Sequence, residues 1–192
     1  MPVFQINPAN EVTVKNLMTA FECESTAHIK YTAYAAKADS EGLPVVAALL
    51  RAIARSEQIH ADNHACVIRK LGGDPEIQAQ TVEVKSTLEN LTRALGDEIY
   101  EIDAMYPRFL VENRRTDNSA GRTLSWALEA EKSHTRLLSE EIRRLEAGEM
   151  DSPADTPIEF YIRPICGYVS KTREPDRCWA CNRFCSTFET VR

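Results

Sequence analysis

The sequence predicts an all-α protein: a four-helix bundle built from two helical hairpins, with a small cysteine-bearing domain at its C-terminal end. Three observations carry this expectation. Apolar residues recur at helical spacing, as in Leu124, Leu128, Leu138, Ile142 and Leu145, so long segments have one face suited to burial. Short breaks separate these segments, at SEGLP (40–44), LGGDP (71–75) and TDN (116–118), which suits antiparallel neighbours. After residue 157 the helical period is lost, and prolines, aromatics, β-branched residues and four of the six cysteines take over.

The elements follow in order. Residues 1–9 form a short extended lead, and Asn10 or Thr13 stands where a cap would start a first helix running to about Ser40. A second helix runs from about Pro44 to Leu71 and a third from about Thr81 to Asn113; the fourth is capped by TDN and ends near Gly148. GEMDSPADTP (148–157) is rich in Pro and Asp and reads as a linker. The expected organisation is a bundle over 1–147, a linker over 148–158 and a small domain over 159–192.

Whole-chain quantities narrow the function. With 23 Lys+Arg against 29 Asp+Glu the net charge is −6, which argues against nucleic acid or an anionic membrane as partner. The longest apolar run, Leu43 to Leu50, stops at Arg51, so no membrane span is expected. The start, MPVFQINPANE, lacks a basic region followed by an apolar one, so no signal peptide is expected and the cytoplasm is the expected compartment. There, six cysteines favour metal binding or free thiols over disulfides.

Two short motifs carry the chemistry. EKSH (131–134) lies in the fourth helix with Glu131 and His134 near its apolar face, and EQIH (57–60) repeats the pattern 74 residues earlier in the second. The same offset relates Glu24 in the first helix to Glu98 in the third, so Glu24, Glu57 and His60 recur as Glu98, Glu131 and His134 with identical spacing. The midpoint of 24 and 57 falls inside SEGLP, and that of 98 and 131 inside NRRTDN. In each antiparallel hairpin the two carboxylates therefore share one level, roughly 25 Å from the turn. Two hairpins packed together bring four Glu and two His to that level, the donor set of a di-iron or di-manganese carboxylate centre. One Glu-x-x-His pair is commonly solvated surface; two in register with two partner glutamates are not, because burying that many carboxylates without cations is costly. Glu22 and Glu129, two residues from a ligand, should face solvent; His28 and His64, each one turn from a ligand, are expected at the surface, with a place supporting the ligands as the alternative, while Cys23 and Cys66 should be small buried residues.

Glu101 breaks the symmetry, since its repeat position is Ala27. Here the chain resembles the rubrerythrins, through NLMTAFECES, YTAYAAKAD, the two Glu-x-x-His motifs, EIYE followed by MYP, and CGY with PDRCWAC in the tail. The resemblance spans nearly the whole chain and implies a ferritin-like four-helix bundle with a small rubredoxin-like metal-knuckle domain. It makes Glu24, Glu57, His60, Glu98, Glu101, Glu131 and His134 the ligands of two iron ions. It also places the hydroxyls of Tyr31 and Tyr106 against ligand carboxylates, and gives the catalytic roles to Glu101, His60, Tyr31 and Tyr106. In the family, Glu101's counterpart binds one iron when oxidised and His60's counterpart replaces it on reduction.

The tail departs from the family pattern. A rubredoxin-like knuckle uses two Cys-x-x-Cys pairs, but Arg163 stands where the first thiolate belongs, leaving Cys166, Cys178 and Cys181. Two readings stay open: Cys185 completes a four-cysteine site for iron or zinc, or the knuckle has lost its metal. The implied activity is reduction of hydrogen peroxide to water by a homo-oligomer of two or four chains, with electrons from an external reductase or redox protein. The alternative is a ferritin-like ferroxidase that handles iron and uses oxygen, with a di-iron oxygenase third.

Overall fold

The computed structural model describes residues 6–77, 81–113, 117–149, 159–173, 177–184 and 187–192. A short 3-10 turn, Pro8–Asn10, leads into α1 (Glu11–Ser40), followed by α2 (Pro44–Lys70), α3 (Thr87–Tyr100), a π-helical stretch Glu101–Met105, α4 (Tyr106–Asn113) and α5 (Asn118–Glu146). α3, the π stretch and α4 run on as one helical rod, so four rods make the bundle. Among the described residues, no helix is long and apolar enough to cross a membrane.

Local chemistry accounts for the ends. Gly42, at φ +75°, turns the chain between α1 and α2, and Pro44 occupies the first turn of α2, where its missing N–H costs nothing. The third rod begins at Thr87, later than the Thr81 expected from its pattern. Ser86 and Glu89 form a reciprocal capping box that sets the start there, and Glu41 accepts a 3.0 Å bond from the Thr87 amide, tying the two hairpins together. Asp117 caps α5 by accepting from the amides of Ser119 and Ala120. Neither expected cap of α1 acts as one. The Asn10 side chain makes no capping bond, Asn7 caps the preceding turn, and Thr13 donates across the bundle to Asn113 at 3.0 Å.

Two apolar clusters fill the bundle. One centres on Tyr31, Leu49, Leu50, Ile53, Leu91 and Leu137, the other on Leu17, Phe21, Ile68, Met105, Phe109 and Leu124. Between them, at mid-helix, lies a layer of buried acids and histidines.

The tail folds as a three-stranded antiparallel sheet of β1 (Phe160–Ile162), β2 (Val169–Ser170) and β3 (Glu189–Val191), with β1 central and Tyr161 opposite both Ser170 and Thr190. Its alternation puts Phe160 and Ile162 into the first apolar cluster, against α2. Arg55 clamps Glu189 through two bonds of 2.6 and 2.8 Å, and Lys171 reaches Glu140 at 2.8 Å. The tail therefore packs on its own bundle. Most of the expected linker, residues 150–158, lies outside the described residues.

Candidate metal centre

Each rod contributes at mid-length: α1 Glu24, α2 Glu57 and His60, the third rod Glu98 and Glu101, and α5 Glu131 and His134. Glu and His three residues apart share a helix face, so each pair points inward together. Two groups of potential ligand atoms form, Glu24–Glu57–His60–Glu131 and Glu57–Glu98–Glu131–His134, each within 4.8 Å. Glu57 and Glu131 belong to both, which is what a pair of bridging carboxylates requires. His60 Nδ1 lies 3.0 Å from Glu57 and 2.9 Å from Glu131, and His134 Nδ1 lies 3.2 Å from Glu57 and 2.6 Å from Glu131. Glu101 stands beside these groups rather than in them. It is 8 % exposed, against 2 % or less for the other six.

The donor set fits two divalent ions. Glu24 Oε2, Glu57 Oε1, Glu98 Oε2, both Glu131 oxygens and both His134 ring nitrogens are buried without a well-formed hydrogen bond. That many unmatched polar atoms are costly to bury without cations, and hard oxygens with two imidazoles suit iron.

Without metal, protons must balance the charge. Burial, then the neighbouring Glu131 and Glu57, raise Glu24 to about 8. Burial and surrounding carboxylates hold Glu98 and Glu101 well above the usual range. For His60 and His134 burial works against the charge, but the carboxylates around them prevail and raise both. For Glu57 and Glu131 burial again opposes, and the adjacent imidazoliums win and lower both. Between pH 7 and 9 the folded site thus gives up protons that the unfolded chain has already lost, so stability falls as pH rises. The Cys178 thiol, lowered to about 5 chiefly by its bond with Cys166, opposes this with one proton against several. The melting midpoint of chelator-treated protein is expected to drop by roughly 3–6 °C from pH 7 to 9, with iron-loaded protein gaining over it as pH rises. Calorimetry at the two pH values checks this, and a rising metal-free midpoint would contradict it.

The two tyrosines are placed reciprocally. Tyr31 of α1 donates to Glu98 Oε1 at 2.7 Å, and Tyr106 of α4 donates to Glu24 Oε1. Yet Tyr31 follows Glu24 by seven residues, while Tyr106 follows Glu98 by eight. The π stretch absorbs the extra residue, so Tyr106 still arrives at the equivalent place while Glu101 is turned toward the site.

For His64 the less expected of the two readings holds. Far from being on the surface, it is fully buried, and burial with nearby His60 lowers it to about 3, so it is neutral. Thr123 donates to its Nδ1 at 3.1 Å, and its Nε2–H donates to the Tyr106 oxygen at 3.3 Å, leaving the Tyr106 proton for Glu24. His28 is also not free in solvent: half-buried, it donates from Nδ1 to the Ala54 carbonyl at 2.7 Å. Glu22 is exposed and Glu129 pairs with Lys132 at the surface. Cys66 is exposed rather than buried, because its position points away from α1 and α5, and Cys23 is only half-buried.

In the tail, Cys166, Cys178 and Cys181 converge within 4.8 Å, with Cys166 Sγ 3.5 Å from Cys178 Sγ. Cys185 lies outside the described residues. Arg163 is buried and lays its guanidinium over the Phe188 ring, 4.2 Å from its centre. The knuckle touches the acidic layer directly. His60 Nε2–H donates to the Cys166 carbonyl at 3.0 Å, Ser56 donates to the Gly167 carbonyl at 2.6 Å, and Asn63 to that of Ile165 at 2.9 Å. A Cβ at Gly167 would lie 2.4 Å from His60 Nε2, and its φ is +77°, so glycine is required twice over. The Cys166 contact fixes the His60 tautomer that leaves Nδ1 for a metal.

With the geometry in place, known proteins can be compared. The model of the rubrerythrin family matches residues 15–142. Rubrerythrin-2 of Clostridium acetobutylicum is 32% identical over 174 residues, covering 90% of this chain and 92% of the relative. Nigerythrin of Nitratidesulfovibrio vulgaris is 33% identical over 181 residues, 92% and 85% respectively. Solved, fully reduced nigerythrin superposes with a TM-score of 0.81 at 30% identity, over 93% of this chain and 86% of that one. A Mycobacterium tuberculosis bacterioferritin shares the fold, with a TM-score of 0.64 at 22% identity over 74% of this chain and 89% of that one.

Proposed function

The chain belongs to the rubrerythrin family, and from that premise we propose that it is a di-iron peroxidase that reduces hydrogen peroxide to water. The observation that carries this is Glu101, a seventh ligand-type residue that the π stretch turns toward the acidic layer at its most open corner. When bound, two ferrous ions supply one electron each and the positive charge that favours breaking an O–O bond.

The chain's own residues do the rest. Glu57 and Glu131 belong to both ligand groups and would be shared by the two ions, while Tyr31 and Tyr106 hold Glu98 and Glu24 in place by hydrogen bonds. Glu101 offers an anion, which suits the oxidised centre, and His60 offers a neutral imidazole, which suits the reduced one. Electrons from an external redox protein would pass through the knuckle, where the Cys166 carbonyl meets His60. We take residues 1–147 as the catalytic bundle and 159–192 as the relay domain, in a cytoplasmic homo-oligomer of two or four chains. The ferroxidase alternative has likeness of fold alone behind it.

Stopped-flow oxidation of the diferrous protein tests the proposal. Peroxide should react on the order of tenfold faster than oxygen or more; comparable rates, or faster reaction with oxygen, would favour the ferroxidase. For the knuckle, anaerobically purified protein should carry either the red thiolate-to-iron absorption or about one zinc per chain, and Cys178→Ser should remove it. Unchanged metal content in that variant would leave the cysteines without a ligand role.

A further inference from the structure

A cavity of about 450 Å³ lies beside the acidic layer, between α1, the end of α3 and the segment 81–83. Its walls include Thr26, Ala27, Tyr34 and Val82, and it reaches Tyr31 and Glu101. Two ion pairs line it as well, Lys30–Asp97 at 2.5 Å and Arg93–Glu83 at 3.2 Å. Glu101 is thus both the most exposed of the seven ligand-type residues and the one that lines this space.

Hydrogen peroxide does not need such a room. Two heavy atoms occupy about twice the ~30 Å³ of a water molecule, whereas this volume lies in the range that takes whole organic molecules. The lining is mixed, an alanine, a valine and aromatic faces standing beside threonine hydroxyls and the charged ends of Lys30, Glu83, Arg93, Asp97 and Glu101. Tyr34 points the same way from independent ground. It is fully buried, its ring centre is 6.2 Å from that of Tyr31, and its hydroxyl has no hydrogen-bond partner among the described residues. A buried hydroxyl without a partner is costly, and phenylalanine would avoid the cost. The hydroxyl is itself covered, so a ligand oxygen would supply the partner through a small turn of the Tyr34 ring toward the cavity it lines.

We propose that this cavity binds organic hydroperoxides, the alkyl or aryl group resting against Ala27, Val82 and the Tyr34 ring and the peroxide end directed to Glu101. Binding stands on the cavity; turnover rests on the peroxidase function proposed above. The balance matches that for hydrogen peroxide. The O–O bond breaks, two electrons come from the reduced di-iron centre and two protons from solvent, and the products are one alcohol and one water.

The test uses full-length, iron-loaded protein with cumene hydroperoxide and hydrogen peroxide in stopped flow. In parallel, the corresponding alcohol, 2-phenyl-2-propanol, is titrated calorimetrically into the oxidised protein. The alcohol should bind, and Tyr34→Phe, which keeps the ring and removes only the hydroxyl, should weaken binding by roughly 3–10-fold. Thr26→Phe, a change on a half-exposed helix position, should fill the cavity and lower the ratio of cumene hydroperoxide to hydrogen peroxide rates by roughly tenfold or more. No binding of the alcohol to the parent protein, or an unchanged rate ratio in Thr26→Phe, overturns the proposal. If hydrogen peroxide is reduced while the organic hydroperoxide is not, the cavity proposal falls and the peroxidase stands. If neither oxidant reacts, the peroxidase falls, and the alcohol titration alone decides the cavity.

Discussion

Glu131→Ala is expected to empty both metal positions, taking iron from about two per chain to nearly none. Glu131 belongs to both ligand groups, and both its oxygens are buried without a well-formed hydrogen bond. Each histidine's Nδ1 lies within 3 Å of it, His60 at 2.9 Å and His134 at 2.6 Å. Its removal takes a shared ligand from both ions and leaves Glu24, Glu57 and Glu98 converging with less charge to balance them. Saturating metal at about a thousand times its dissociation constant adds about 4 kcal/mol to stability. Losing that should lower the melting midpoint by roughly 10 °C in a chain of this size. Glu129→Ala, which breaks only a surface pair with Lys132, should change the midpoint by no more than about 2 °C. Metal analysis with calorimetry on both variants checks this, and full iron content in Glu131→Ala would refute the bridging role.

Glu101→Ala is expected to do the reverse: keep both metals and lose the reaction. Glu101 stands outside both four-ligand groups, so each keeps its full set without it. What disappears is an anion at the open corner of the site, beside Glu24 and Glu98. Removing one group that acts mainly during reaction costs roughly 10²–10³-fold in rate. The peroxide rate should fall by that order while oxidation by oxygen changes little, so selectivity between the two collapses. Loss of one metal equivalent would instead make Glu101 a structural ligand.

Much of the centre is legible in the amino-acid sequence alone. Helical period and hairpin symmetry together bring Glu24, Glu57, His60, Glu98, Glu131 and His134 to one level, and all six meet there. What escaped had physical reasons. His64 looks like a surface residue from α2 alone; only Thr123 on α5 and Tyr106 on α4 enclose it. The start of the third rod was misplaced because an apolar pattern says nothing of the Ser86–Glu89 cap. The packing of the tail depends on Phe160 and Ile162, two residues in a strand too short to show a period. A π stretch leaves almost no mark either, beyond the spacing of seven residues in one half and eight in the other.

That single extra residue has a meaning beyond geometry. If the two hairpins are copies of one ancestral segment, the original assembly held two interchangeable ions, and such an assembly has no preferred end at which a reaction can begin. One codon added between Glu98 and Tyr106 in the second copy, with one lost before Glu131 so that the 33-residue spacing of the glutamates is kept, makes its two halves unequal. It shifts one tyrosine's address, brings one more acid to the layer and leaves everything else in register. A store for ions and a machine that acts on one side of them then differ by steps as small as one codon gained and one lost.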